Sequence, residues 1–116
     1  MKFVSIPVAE AAKLRPLLVK DVPGLFDVSY RITCHGVVFG YLVPHSELIE
    51  KLLKEKNAKL CRWAHPYFFE HFSASFLGDW LHENKTTVIE IYHSKVPSKI
   101  LFYYLDLTHI GAMSKL

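Results

Sequence analysis

Seven histidines and two cysteines are the side chains of this 116-residue chain most able to bind a metal or attack a substrate. Zinc held by one helix needs two ligands four residues apart, and zinc ribbons need paired Cys-x-x-Cys. His65 and His71 are six apart, and neither His-Glu-x-x-His nor Cys-x-x-Cys occurs. Cys34 and His35 are the one adjacent thiol–imidazole pair. Neighbours on a strand point to opposite faces, so nucleophile and base would be held apart. Glu10, Glu70, Asp79, Glu90 and Asp106 could pair as acid and base, but no motif fixes two of them together. There is no Gly-x-Gly-x-x-Gly, phosphate loop or nucleophile elbow. The chain reads as non-enzymatic, with no catalytic residue, metal ligand or cofactor expected.

Composition narrows the classes further. Half the residues are apolar, 14% are aromatic and only 22% charged, which excludes a disordered chain. The length suits one domain with a core of its own. No run reaches the roughly 18 apolar residues of a membrane span, and Met1-Lys2 leads into a strand pattern and not a signal peptide. A cytoplasmic protein with reduced Cys34 and Cys61 is expected. The charge of +3 permits nucleic-acid binding without demanding it.

The elements follow from periodicity. Lys2 to Ile6 predicts a strand, and Ala9 to Leu18 a helix that Pro16 kinks or restarts. Asp21-Val22-Pro23-Gly24 is a turn signal. Leu25 to Thr33 and Val37 to Val43 predict a hairpin around Cys34-His35-Gly36, where Gly36 supplies a positive φ. Past Pro44, Leu48, Ile49, Leu52 and Leu53 predict one helical face, with Glu47–Lys51 and Glu50–Lys54 pairs opposite and Asn57 as the stop. Ala58 to Ala64 is ambiguous between classes. Pro66 opens a helix whose Phe68, Phe69, Phe72, Phe76, Leu77, Trp80 and Leu81 form one aromatic stripe. Thr86 to His93 and Lys99 to Asp106 predict a second hairpin, and the residues after it a fraying tail. The expected fold is α+β, a small single domain: a strand-helix-hairpin-helix unit over residues 1–56, then the aromatic helix and second hairpin over 57–116. No internal repeat is visible in the residues themselves.

The run Ile32-Thr33-Cys34-His35-Gly36-Val37-Val38-Phe39-Gly40-Tyr41-Leu42-Val43-Pro44 and the helix after it resemble the middle of the Phd/YefM antitoxins. In that family Ile-Thr, two basic residues, Gly, a hydrophobic strand and Val-Pro precede a short acidic-apolar helix. Phe3-Val4-Ser5-Ile6 and the helix from Ala9 resemble the family's opening more loosely, so the likeness covers about the first half. Cys34 and His35 stand where the family carries basic residues, and Pro16 interrupts its first helix. The resemblance implies a homodimer built on the first unit, operator DNA contacts and a cognate toxin met by the C-terminal half. DNA contacts would fall to Lys2, Lys13, Arg15, Arg31 and His35.

Partner contacts would fall to Trp63, Phe68, Phe72, Phe76, Trp80, Tyr92, Tyr103 and Tyr104, since tyrosine and tryptophan anchor protein interfaces. Such a stripe is more often the material of a core than of an interface, because monomers seldom expose large apolar patches. The family's toxin-binding segment is disordered until bound, whereas this one carries enough apolar residues to fold alone. That departure opens a second reading, a phage- or plasmid-encoded inhibitor or immunity-type protein acting by rigid docking.

Overall fold

The structure, a computed structural model, describes residues 3–10, 28–73, 75–77, 79 and 87–105. The expected helix beyond residue 10, the turn at Asp21–Gly24 and the tail after Leu105 lie outside them. The class is α+β. One six-stranded mixed sheet contains β1 (Phe3–Pro7), β2 (Ser29–Cys34), β3 (Val37–Pro44), β4 (Lys59–Ala64), β5 (Thr87–Tyr92) and β6 (Ile100–Leu105), in spatial order β1-β2-β3-β6-β5-β4. Two helices complete the described chain, α1 (Glu47–Glu55) and α2 (His65–Glu70). Residues 8–10 are helical and follow β1 directly.

The first hairpin turns on two left-handed residues, His35 at φ 50° and Gly36 at φ 80°, between the paired Cys34 and Val37. Two positive φ values in a two-residue loop match the twist of the strands they join. A Cβ on Gly36 would meet nothing within 4 Å, so only backbone strain opposes one. Gly36→Ala is therefore expected to cost about 1 kcal/mol, read as a shift in urea midpoint.

Helix α1 begins at Ser46, whose hydroxyl accepts the Ile49 N–H at 3.2 Å. It ends where expected: Asn57 takes φ 53°, its N–H donates to the Lys54 carbonyl and that of Ala58 to the Leu53 carbonyl. These two bonds make a Schellman motif with asparagine in glycine's usual place. Ile49 and Leu53 are buried, but Leu48, assigned by periodicity to the same face, is 57% exposed. The buried stripe is narrower than expected because one short helix meets the sheet along a single line of contact.

Two further expectations change. Residues 58–64, ambiguous in sequence, supply the edge strand β4, parallel to β5. The aromatic stripe is not one helix. α2 stops at Glu70, and a new turn starts at Ser73, whose hydroxyl accepts the Phe76 N–H and whose carbonyl accepts that of Leu77. Serine offers the backbone this alternative to a continuous helix. The break still leaves Phe72 buried.

The sheet is covered on both faces, as alternation along each strand requires. Tyr30, Ile32, Leu42, Ile89, Ile91, Phe102 and Tyr104 point to one side and meet Val8, Phe68, Phe69, Phe72 and Leu77. Tyr41, Val43, Val88, Tyr103 and Leu105 point to the other and meet Ile49 and Leu53 of α1.

The strand registers reveal a repeat that the residues conceal. Each half is a strand pairing in parallel with the first arm of an antiparallel hairpin: β1 with β2–β3, and β4 with β5–β6. The second arms pair antiparallel, Tyr41 with Leu105, Leu42 with Tyr104 and Val43 with Tyr103, so an approximate two-fold axis passes through the Leu42–Tyr104 pair. Across it, the row Ser5, Arg31, Tyr41 corresponds to Arg62, Glu90, Tyr103. Even the irregularities correspond. The first hairpin shifts register between Ile32 and Thr33, the second between Ile91 and Tyr92. The extra residues, Phe39 and Leu101, both turn to the same core. The two hairpins differ at their tips, residues 34–37 in one and 93–99 in the other.

Candidate partner-binding surface

The structure sorts the aromatic residues singled out above into two groups. Phe68, Phe72, Tyr103 and Tyr104 are at most 1% exposed. As they stand they are core, buried among side chains of both halves. Tyr92 is half-buried, with the Arg62 guanidinium 4.7 Å above its ring. Trp80 lies outside the described residues. Trp63 and Phe76 are half-buried at the edge of the core, with ring centroids 5.4 Å apart.

Those two rings continue outward into a pair that the residue-type argument missed. Tyr67 packs on Trp63 at 5.0 Å and on His71 at 4.4 Å, and it is 53% exposed. Trp63, Tyr67 and His71 recur every four residues, a spacing that could have marked them as one row had β4 been seen to lead straight into α2. Backbone geometry fixes the row. Pro66 occupies the first turn of α2, and the His71 imidazole shares a 2.8 Å hydrogen bond with the Tyr67 carbonyl. The Trp63 indole N–H donates to the Cys61 sulfur at 3.2 Å. The result is a partly exposed aromatic surface held from beneath by Phe68 and Phe76.

Of the positions assigned to DNA, Lys2, Lys13 and Arg15 lie outside the described residues. Arg31 is half-buried on β2 and His35 is exposed at the tip of the first turn. Cys34 packs against the core, while His35, a left-handed turn residue beyond the end of β2, is exposed. Both cysteines are free thiols. Among the described residues no three His, Cys, Asp or Glu side chains stand where they could hold a metal, and no helix is long and apolar enough to cross a membrane.

The electrostatics are local. Glu50 accepts from His45 at 3.2 Å and pairs with Lys54 at 3.4 Å. The His45 hydrogen bond, followed by Lys54, draws its carboxyl below the usual range. Burial pushes the Tyr103 hydroxyl up, and the Glu90 and Glu50 charges push it further. Burial also raises Tyr30. These shifts belong to packed tyrosines and to an ion pair on the surface of α1. No family model, no curated protein and no solved structure matches the chain.

Proposed function

We propose that this chain is a non-enzymatic binding protein of antitoxin type that neutralises a partner protein by rigid docking. One observation carries the reading: Tyr67 is held by Trp63 and His71 in a fixed pose while half of its surface remains open. A preformed aromatic anchor loses little side-chain entropy on binding, which is why such residues dominate interface energies. The buried Phe68, Phe69 and Phe72 support docking of a folded surface over the wrap-around tail of the resembling family. That also keeps the inhibitor or immunity-type reading alive, since both neutralise by contact. The homodimer of that family has a counterpart within the chain, where β3 of one unit meets β6 of the next. The edge of β3 is thus paired within the chain, and the proposal requires no second copy. Operator DNA remains a proposed second ligand of the first half.

The test uses the intact chain immobilised against proteins of its host. A protein recovered this way is purified and titrated against wild type and Tyr67→Ala. The expected result is at least about tenfold weaker binding by the variant, the size of an interface anchor, with stability changed by less than about 0.5 kcal/mol. Equal binding by both would remove the aromatic row as the docking surface. Anisotropy with duplex DNA at low and high salt tests the second ligand, since phosphate contacts weaken steeply with salt.

A further inference from the structure

We infer that Arg31 and Ser5 form a binding site for a small oxyanion, a phosphate or a carboxylate, on the sheet face that also carries α1. Arg31 donates from Nη1 to the Ser5 hydroxyl at 3.2 Å. Its guanidinium carbon lies 5.6 Å from the Phe3 ring centre and 5.9 Å from that of Tyr41. Phe3 and Tyr41 are themselves packed edge to face at 5.1 Å. The cation is therefore fixed in one pose before any ligand arrives, which removes most of the ordering cost of a flexible arginine.

The two-fold repeat shows what is missing. In the second half the corresponding positions are Arg62 and Glu90, opposite charges side by side in register. In the first half they are Ser5 and Arg31, so the hydroxyl stands in the place of Arg62 and the guanidinium in that of Glu90, with no carboxylate at either position. Among the described residues no carboxylate pairs with Arg31; the ion pairs there belong to Glu50 with His45 and Lys54. Ser5 is exposed and Arg31 half-buried, so the site opens to solvent from the hydroxyl side. Because the serine oxygen accepts from Arg31, its own hydrogen remains to donate. A guanidinium has five N–H donors and spends one here. Hydroxyl and guanidinium together form a donor set suited to an oxyanion, whose negative charge neither side chain supplies.

The test follows Arg31 Nε–H and the Ser5 amide in nitrogen-15 spectra of the intact chain. Sodium phosphate and sodium acetate are titrated separately against sodium chloride at matched ionic strength. A saturable shift at both groups with phosphate or acetate, absent with chloride, is expected, and the tighter ion names the ligand class. Ser5→Ala should weaken binding about tenfold, the loss of one hydrogen bond to a charged group. Arg31→Gln should abolish it, and Arg31→Lys, which keeps charge without the fork, should fall between. Should Arg31→Gln not fold, Ser5→Ala decides, because it removes only an exposed hydroxyl. Linear, unsaturable shifts with both ions, or unchanged affinity in Ser5→Ala, would overturn the site. A response to duplex DNA with neither small ion binding would reassign Arg31 to a nucleic-acid backbone and overturn it equally.

Discussion

Phe72→Ala is expected to destabilise the protein by about 3–5 kcal/mol, the range for truncating a buried aromatic ring. Phe72 is 1% exposed and packs its ring 5.9 Å from Phe68 and 6.0 Å from Phe69, both wholly buried. Truncation loses the transfer free energy of the ring and leaves a cavity between two rigid neighbours that cannot close over it. Small domains hold about 5–15 kcal/mol in total, so roughly a fifth or more of the stability would go. Urea titration measures it as a fall in midpoint at unchanged slope. The same experiment on Tyr67→Ala should show almost nothing, although both residues are aromatic and lie five positions apart. A loss under about 1 kcal/mol for Phe72→Ala would mean that the ring contributes to a surface and not to the core.

That contrast locates what could be read from the residues and what could not. Periodicity marked the apolar positions from Phe68 to Leu77, because burial and helical spacing both leave their trace in residue type. It could not separate a continuous helix from a helix, a break and a new turn. The Ser73 hydroxyl that starts the new turn carries no apolar signal, and hydrophobic periodicity passes straight through it. The first hairpin was legible in detail since Gly36, the β-branched flanks and Pro44 are each local determinants. Strand β4 was not, because Lys59 to Ala64 mixes charge with apolar residues, as an edge strand with one half-covered face must. Its partner β5 lies more than twenty residues away, and only that pairing makes it a strand. Tyr67 was passed over for a related reason: its importance depends on exposure, which residue type does not encode.

The repeat was invisible for a different reason. Backbone hydrogen bonds set the two-fold relation, but side-chain volumes break it. Gly40 corresponds to Phe102, and Leu42 to Tyr104, so at these two positions the first half carries the smaller residue. A symmetric pairing of two first halves would set Gly40 beside Leu42 and leave space. A pairing of two second halves would crowd Phe102 against Tyr104. The halves therefore fit each other in volume better than either would fit a copy of itself, and register matches where residue type does not.

Gly40 and Tyr104 make that argument measurable. A Cβ built on Gly40 would run into the hydroxyl and ring carbons of Tyr104, a fully buried side chain that cannot swing away. The Tyr104 hydroxyl also donates to the Phe39 carbonyl at 3.0 Å, so the ring is tied at its far end to the strand it covers. Gly40→Val must push the ring off this position, break that bond and strain β3 where it pairs with β2. A cost of about 1–3 kcal/mol from overpacking is expected, with the lost hydrogen bond adding about 1 kcal/mol more. Tyr104→Leu alone opens a cavity over Gly40 and is destabilising as well. Combined, the added methyl groups occupy the volume the ring vacates, and the double variant should be more stable than the sum of the single losses by about 1 kcal/mol or more. Denaturant midpoints of all four proteins give this coupling directly. Strict additivity would show that the ring does not rest on Gly40, and that the two halves are matched in volume somewhere other than at their shared axis.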